Sequence, residues 1–142
     1  MPIPLLTTEM SQILKKLVVL TRAGQLPWET TASSDVLVTP LGGEYSARLE
    51  QTADFDGDPT EHDHVLTVSK GRKVLFALTR RDFEQDVPGF QVAFRDVLAD
   101  SGDYPYKLFY ELWQRANFKG SKLADDLEFL NKLLDTKVRG GA

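Results

Sequence analysis

The chain contains no cysteine. Disulfides, thiolate nucleophiles and cysteine-ligated zinc are therefore excluded. It has only two histidines, His62 and His64, so a histidine base can come from one short stretch alone. No apolar run approaches the roughly twenty residues that a membrane-spanning helix needs, because Lys15 and Lys16 interrupt the apolar N-terminal segment. That segment also lacks the order of basic, apolar and small-residue regions found in a signal peptide. No G-x-S-x-G elbow, Walker loop or dinucleotide glycine motif is present. Positive charge is in the minority: 17 Lys and Arg stand against 21 Asp and Glu, for a net charge of −4 at pH 7. That balance argues against a nucleic-acid binder, whose affinity rests on cations facing phosphates. The expectation from these absences is a cytoplasmic protein without a cofactor, and no catalytic motif is recognisable.

What is present is an ordinary globular composition. With 142 residues, 42% hydrophobic and 27% charged, the chain suits one domain with a buried core, expected over 1–138 with 139–142 as a frayed tail. Leu6, Met10, Ile13, Leu14, Leu17 and Val18 recur at helical spacing, predicting a helix from about Thr8 to Ala23. A threonine, Thr7 or Thr8, caps it and Gly24 stops it. Pro27 biases the QLPWE stretch (25–29) toward an extended connection. Trp28 on that connection either closes the edge of the core or stands out as an anchor for a partner.

Strand signals follow. Val36 to Leu41 reads as a short edge strand because of Pro40, and Gly42-Gly43 as a hairpin turn. Tyr45, Ala47 and Leu49 alternate with Ser46, Arg48 and Glu50, the period of a strand with one wet face. Val65–Ser69 and Val74–Leu78 complete the set, turning at Gly71-Arg72. The run VLFAL (74–78) lacks alternation, as a central strand covered on both faces would. After a Pro88-Gly89 turn, Phe90, Ala93, Phe94, Val97 and Leu98 mark a helix. Pro105–Phe118 is a stronger one, with proline favourable in its first turn. A last helix, capped by Ser121, is striped by Leu123, Leu127, Leu130 and Leu134. The expected class is α+β: an N-terminal helix, a roughly four-stranded antiparallel meander, then two or three C-terminal helices packed on one face.

The densest chemistry is DFDGDPTEHDH (54–64). An EF-hand reading fails, since Pro59 takes the glycine position and Val65 that of the bidentate glutamate. His62, His64 and one of Asp54, Asp56 or Asp58 form the ligand set of a metal-dependent hydrolase, the alternative reading. A wide loop accounts for the same residues: Gly57, Pro59 and short acids satisfy free backbone amides. In that reading His64 shares a strand face with Leu66 and Val68 at the rim of the core, and both imidazoles stay wet. A second alternative is weak nucleic-acid contact through the hairpin tip of Lys70, Arg72 and Lys73, where edge protection is the ordinary explanation.

Aromatics carry the remaining signal. Tyr106, Phe109, Tyr110 and Trp113 follow i, i+3, i+4, i+7 spacing, and Leu108 and Leu112 widen the arc. Such a helix is either sandwiched inside the fold or leaves an aromatic margin exposed. The resulting expectation is a non-catalytic accessory or regulatory protein that binds another protein, or itself. Its anchors would be Trp28, Tyr106, Tyr110 and Trp113, with Arg48 and Glu50 as orienting charges on the sheet's outer face.

LTRAGQLPWE (20–29) and KLFYELWQRANF (107–118) resemble a loose group of small standalone bacterial α+β proteins. In that group a leading helix ends in a G-x-L-x-W-like stretch, a meander follows, and a later aromatic helix precedes a final amphipathic one. The chain departs from the group's pattern at WQRA (113–116). The resemblance implies the order of elements and, since some members resemble accessory proteins that bind others, a non-catalytic role. It assigns no site residues.

Overall fold

The computed structural model describes residues 6–33, 35–52, 63–98, 104–121 and 123–140, with 123 and 124 described by their backbone alone. Helix α1 (Thr8–Arg22) starts where the Thr7 hydroxyl accepts a hydrogen bond from the Met10 amide, satisfying one of the free donors of its first turn. Strands β1 (Glu29–Thr30), β2 (Val36–Gly42), β3 (Tyr45–Gln51), β4 (His64–Lys70) and β5 (Lys73–Leu78) follow. Then come α2 (Arg81–Glu84), α3 (Val87–Ala93), α4 (Pro105–Gly120) and α5 (Leu123–Gly140). The strands form one antiparallel sheet in the order β1-β2-β3-β4-β5. This is the expected α+β architecture, with five strands in place of four.

The additional strand is β1. It spans two residues beyond Trp28, and Glu29 and Thr30 pair with Val38 and Leu37. β1 thus covers part of β2's edge and stops short of Pro40, which has no N–H to offer a neighbour. The first hairpin turns one residue later than the sequence suggests. Gly42 pairs with Tyr45, leaving Gly43 and Glu44 at the tip, and Gly43 takes the left-handed φ of 57° that primed turns require. A register shift between Pro40 and Gly42 absorbs the extra residue.

β5 is not central. It forms an outer edge of the sheet, with Val74 60% and Leu75 41% exposed. Its missing alternation reflects apolar residues on an open edge. A register shift between Val68 and Ser69 and a lysine at its start make that edge a poor template for pairing.

Alternation puts Leu37, Thr39, Ala47, Leu49, His64, Leu66 and Val68 on one buried face of the sheet. α1 contributes Leu14, Leu17 and Val18 to the same core, and α4 contributes Leu108, Phe109, Leu112, Trp113 and Ala116. α4 approaches the sheet closely at Gly120. A Cβ there would lie 2.9 Å from a Leu37 methyl and 3.3 Å from the Trp28 carbonyl oxygen.

The segment before α4 is more broken than expected. Pro88 and Gly89 lie in the first turn of α3, where the Asp86 carboxylate accepts from the Gly89 amide at 3.0 Å. The helix expected through Leu98 ends at Ala93. Its aromatics still serve the core, since Phe83 packs against Phe90, Phe94 and Phe109 with ring centroids 5.3–6.1 Å apart.

α5 differs in kind. Its helix continues through Gly140, into the expected tail, and every described side chain from 125 to 140 is exposed. It does not pack on the sheet. Ser121, expected to cap it, is instead the C-cap residue of α4.

Candidate functional site

The aromatic helix α4 sits over the sheet with its apolar arc split by depth. Phe109 and Trp113 are buried, Tyr106 and Tyr110 are half-buried, and Phe118 is exposed. Beneath them lies His64, 2% exposed. Its ring centroid is 5.6 Å from that of Trp113 and 6.1 Å from that of Tyr110. His64 therefore lies within the core, inward of the rim where its strand position suggested, and it is not wet. The physical reason is α4: the rings of Tyr110 and Trp113 cover the first residue of β4.

Over this buried imidazole, Tyr110 and Trp113 open onto a groove of about 460 Å³, lined further by Gln51, Gln114, Asn117 and Phe118. Its floor is aromatic and its walls carry neutral amides. Among the described residues, the side chains that line it are uncharged. His62, Asp54, Asp56 and Asp58 lie outside the described residues. Among the described residues, no group of three or more histidine and acidic side chains is gathered as a metal ion would require.

The six residues expected to bind a partner fall into three places. Trp28 is 2% exposed, and its indole N–H donates to the Thr21 hydroxyl at 3.1 Å. It closes the core between α1 and β1 and presents no ring to a partner. Tyr106, Tyr110 and Trp113 lie along α4. Arg48 and Glu50 pair with each other on the opposite face of the sheet, since their neighbours Ala47 and Leu49 point inward. They cannot orient a partner bound on α4.

The charged residues nearest the core are occupied in structural pairs. Arg22 reaches from the end of α1 to Glu111 on α4 with two hydrogen bonds of 2.8 and 2.7 Å, and also donates to the Val97 carbonyl. Arg115 donates to the same carboxylate at 2.6 Å. Partial burial pushes the Glu111 carboxyl up, but the hydrogen bonds from Arg22 and Arg115 outweigh it and hold it below its ordinary value. Arg80 and Arg81 converge on Asp63 at 2.7 and 3.0 Å, which separates them from the hairpin tip at Lys70, Arg72 and Lys73. The basic residues of this region do not form one patch.

The surface that sequence reasoning missed is α5. Leu127, Phe129, Leu130, Leu133, Leu134 and Val138 are each between 44% and 77% exposed. The leucine stripe was visible in the sequence, but an amphipathic helix reads alike whether it faces its own core or a partner. No family model, curated protein or solved structure matches the chain. Among the described residues, no helix is long and apolar enough to cross a membrane.

Proposed function

We propose that the protein acts by binding a protein partner, without turnover of a substrate, and that the contact is made by α5 with the Tyr110–Phe118 margin of α4. The supporting observation is the row of large apolar side chains left exposed along an eighteen-residue helix. Contiguous apolar surface of this kind is costly to hydrate and marks interaction sites in water-exposed proteins. The groove beside Tyr110 and Trp113 adds aromatic area, which gives contact at little rotamer cost.

The test is affinity capture from an extract of the producing organism. It compares the full chain with Leu130→Lys/Leu134→Lys and Tyr110→Ala variants. The full chain is expected to retain a protein, a second copy included. The α5 variant should lose it while keeping the melting temperature that the full chain has under dissociating conditions, because these leucines lie outside the core. Equal retention by the α5 variant, or none by any form, would overturn the reading.

A further inference from the structure

At 1.5 Å rise per residue, the eighteen residues of α5 extend about 27 Å. Leu127, Leu130 and Leu134 follow the 3-4 spacing that keeps one seam facing a partner helix, and Leu133 flanks it. The charges on this helix are segregated along its length. Asp125, Asp126 and Glu128 occupy the first half, while Lys132, Lys137 and Arg139 occupy the second, with Asp135 as the exception. The Glu128–Lys132 ion pair, 3.2 Å, spans the boundary.

This polarity selects an occupant. A parallel copy of the helix would set acids against acids and bases against bases. An antiparallel copy sets each acidic half against a basic half and also opposes the two helix dipoles. We propose that α5 pairs antiparallel with α5 of a second copy of this chain, about a two-fold axis crossing the middle of the helix. The contact is isologous and closed, so it yields a dimer and not a filament. A lipid surface fits less well. Residues 125–140 carry four acids against three bases, so the helix lacks the basic excess that draws an amphipathic helix to anionic headgroups. The inference rests on α5 being an interaction face, as proposed above, and specifies what it meets.

Sedimentation velocity of the purified full chain is expected to give twice the 15.9 kDa of one chain. Leu130→Lys/Leu134→Lys should raise the dissociation constant by at least about a hundredfold, the scale expected for removing several buried leucine contacts. Lys137→Glu/Arg139→Glu should weaken the dimer, and adding Asp125→Lys/Asp126→Lys in the same chain should restore it. Orientation is read directly because the chain has no cysteine of its own. Mixed Asp126→Cys and Gly140→Cys chains, both on the Leu133 side of the seam, should cross-link to each other more than either does to itself.

A monomer at every concentration, a dimer indifferent to the leucine substitutions, or preferential self-cross-linking at each position would overturn the inference. A monomer whose capture of another protein still depends on α5 overturns the second copy alone and leaves the proposed function standing. A monomer that instead floats with phosphatidylserine vesicles through α5 overturns both.

Discussion

Thr21 and Trp28 show how much one hydroxyl can hold. The indole N–H is buried and its partner is the Thr21 oxygen. Thr21→Val keeps the shape and removes the acceptor, leaving a buried donor unpaired at a cost of about 1–3 kcal/mol. Urea unfolding should show that loss, and Thr21→Ser should recover most of it. Trp113 offers a second residue-scale test. It is 6% exposed, so Trp113→Ala is expected to cost about 3–5 kcal/mol by leaving a cavity. Tyr110→Ala, at the half-buried margin, should cost clearly less in the same assay. Glu111 sets the acid response. Its folded-state carboxyl is held below the usual value by Arg22 and Arg115, so its contribution is present above the unfolded glutamate value of about 4.3. That contribution is lost as pH falls through the lower folded value. Melting curves should show wild type losing its advantage over Glu111→Gln as pH drops below that range.

At the scale of elements, legibility followed the strength of periodicity. α1 could be placed within a residue because its apolar positions, threonine cap and terminal glycine agree. The strands of β3 and β4 were equally plain, since one face is buried and the other wet. β1 was invisible: two residues cannot show a period, and its pairing depends on where Trp28 docks. β5 was misplaced because an unbroken apolar run suits an exposed edge as well as a covered centre. The spacing of Tyr106, Phe109, Tyr110 and Trp113 did place them on one helix, α4. Trp28's burial and the separation of Arg48 and Glu50 from α4 needed the third dimension. Gly120 carries the element-scale prediction. Alanine is intrinsically the better helix former by about 1 kcal/mol, yet a Cβ at this position presses on Leu37 and the backbone of β1. Gly120→Ala is therefore expected to lower stability, with overpacking costing about 1–3 kcal/mol. A rise in melting temperature would show that β1 yields easily.

At the scale of the whole molecule, the chain divides between a part that folds by burial and a helix that buries little. The core from α1 to α4 encloses the sheet's inner face, the phenylalanine cluster and the Arg22–Glu111 pair. α5 leaves its described side chains in water. A chain ending at Ser121 is thus expected to unfold cooperatively with a free energy close to that of the full chain under dissociating conditions. A large fall would mean that α5 is part of the core. The close seat of Gly120 against Leu37 and Trp28 has a bearing on this division. With no room for a side chain between helix and sheet, the last turn of α4 can neither roll nor slide without colliding. The last turn of α4 is consequently seated close against the sheet's first strand, so a partner held by α5, as proposed, would be tethered near that end of the sheet.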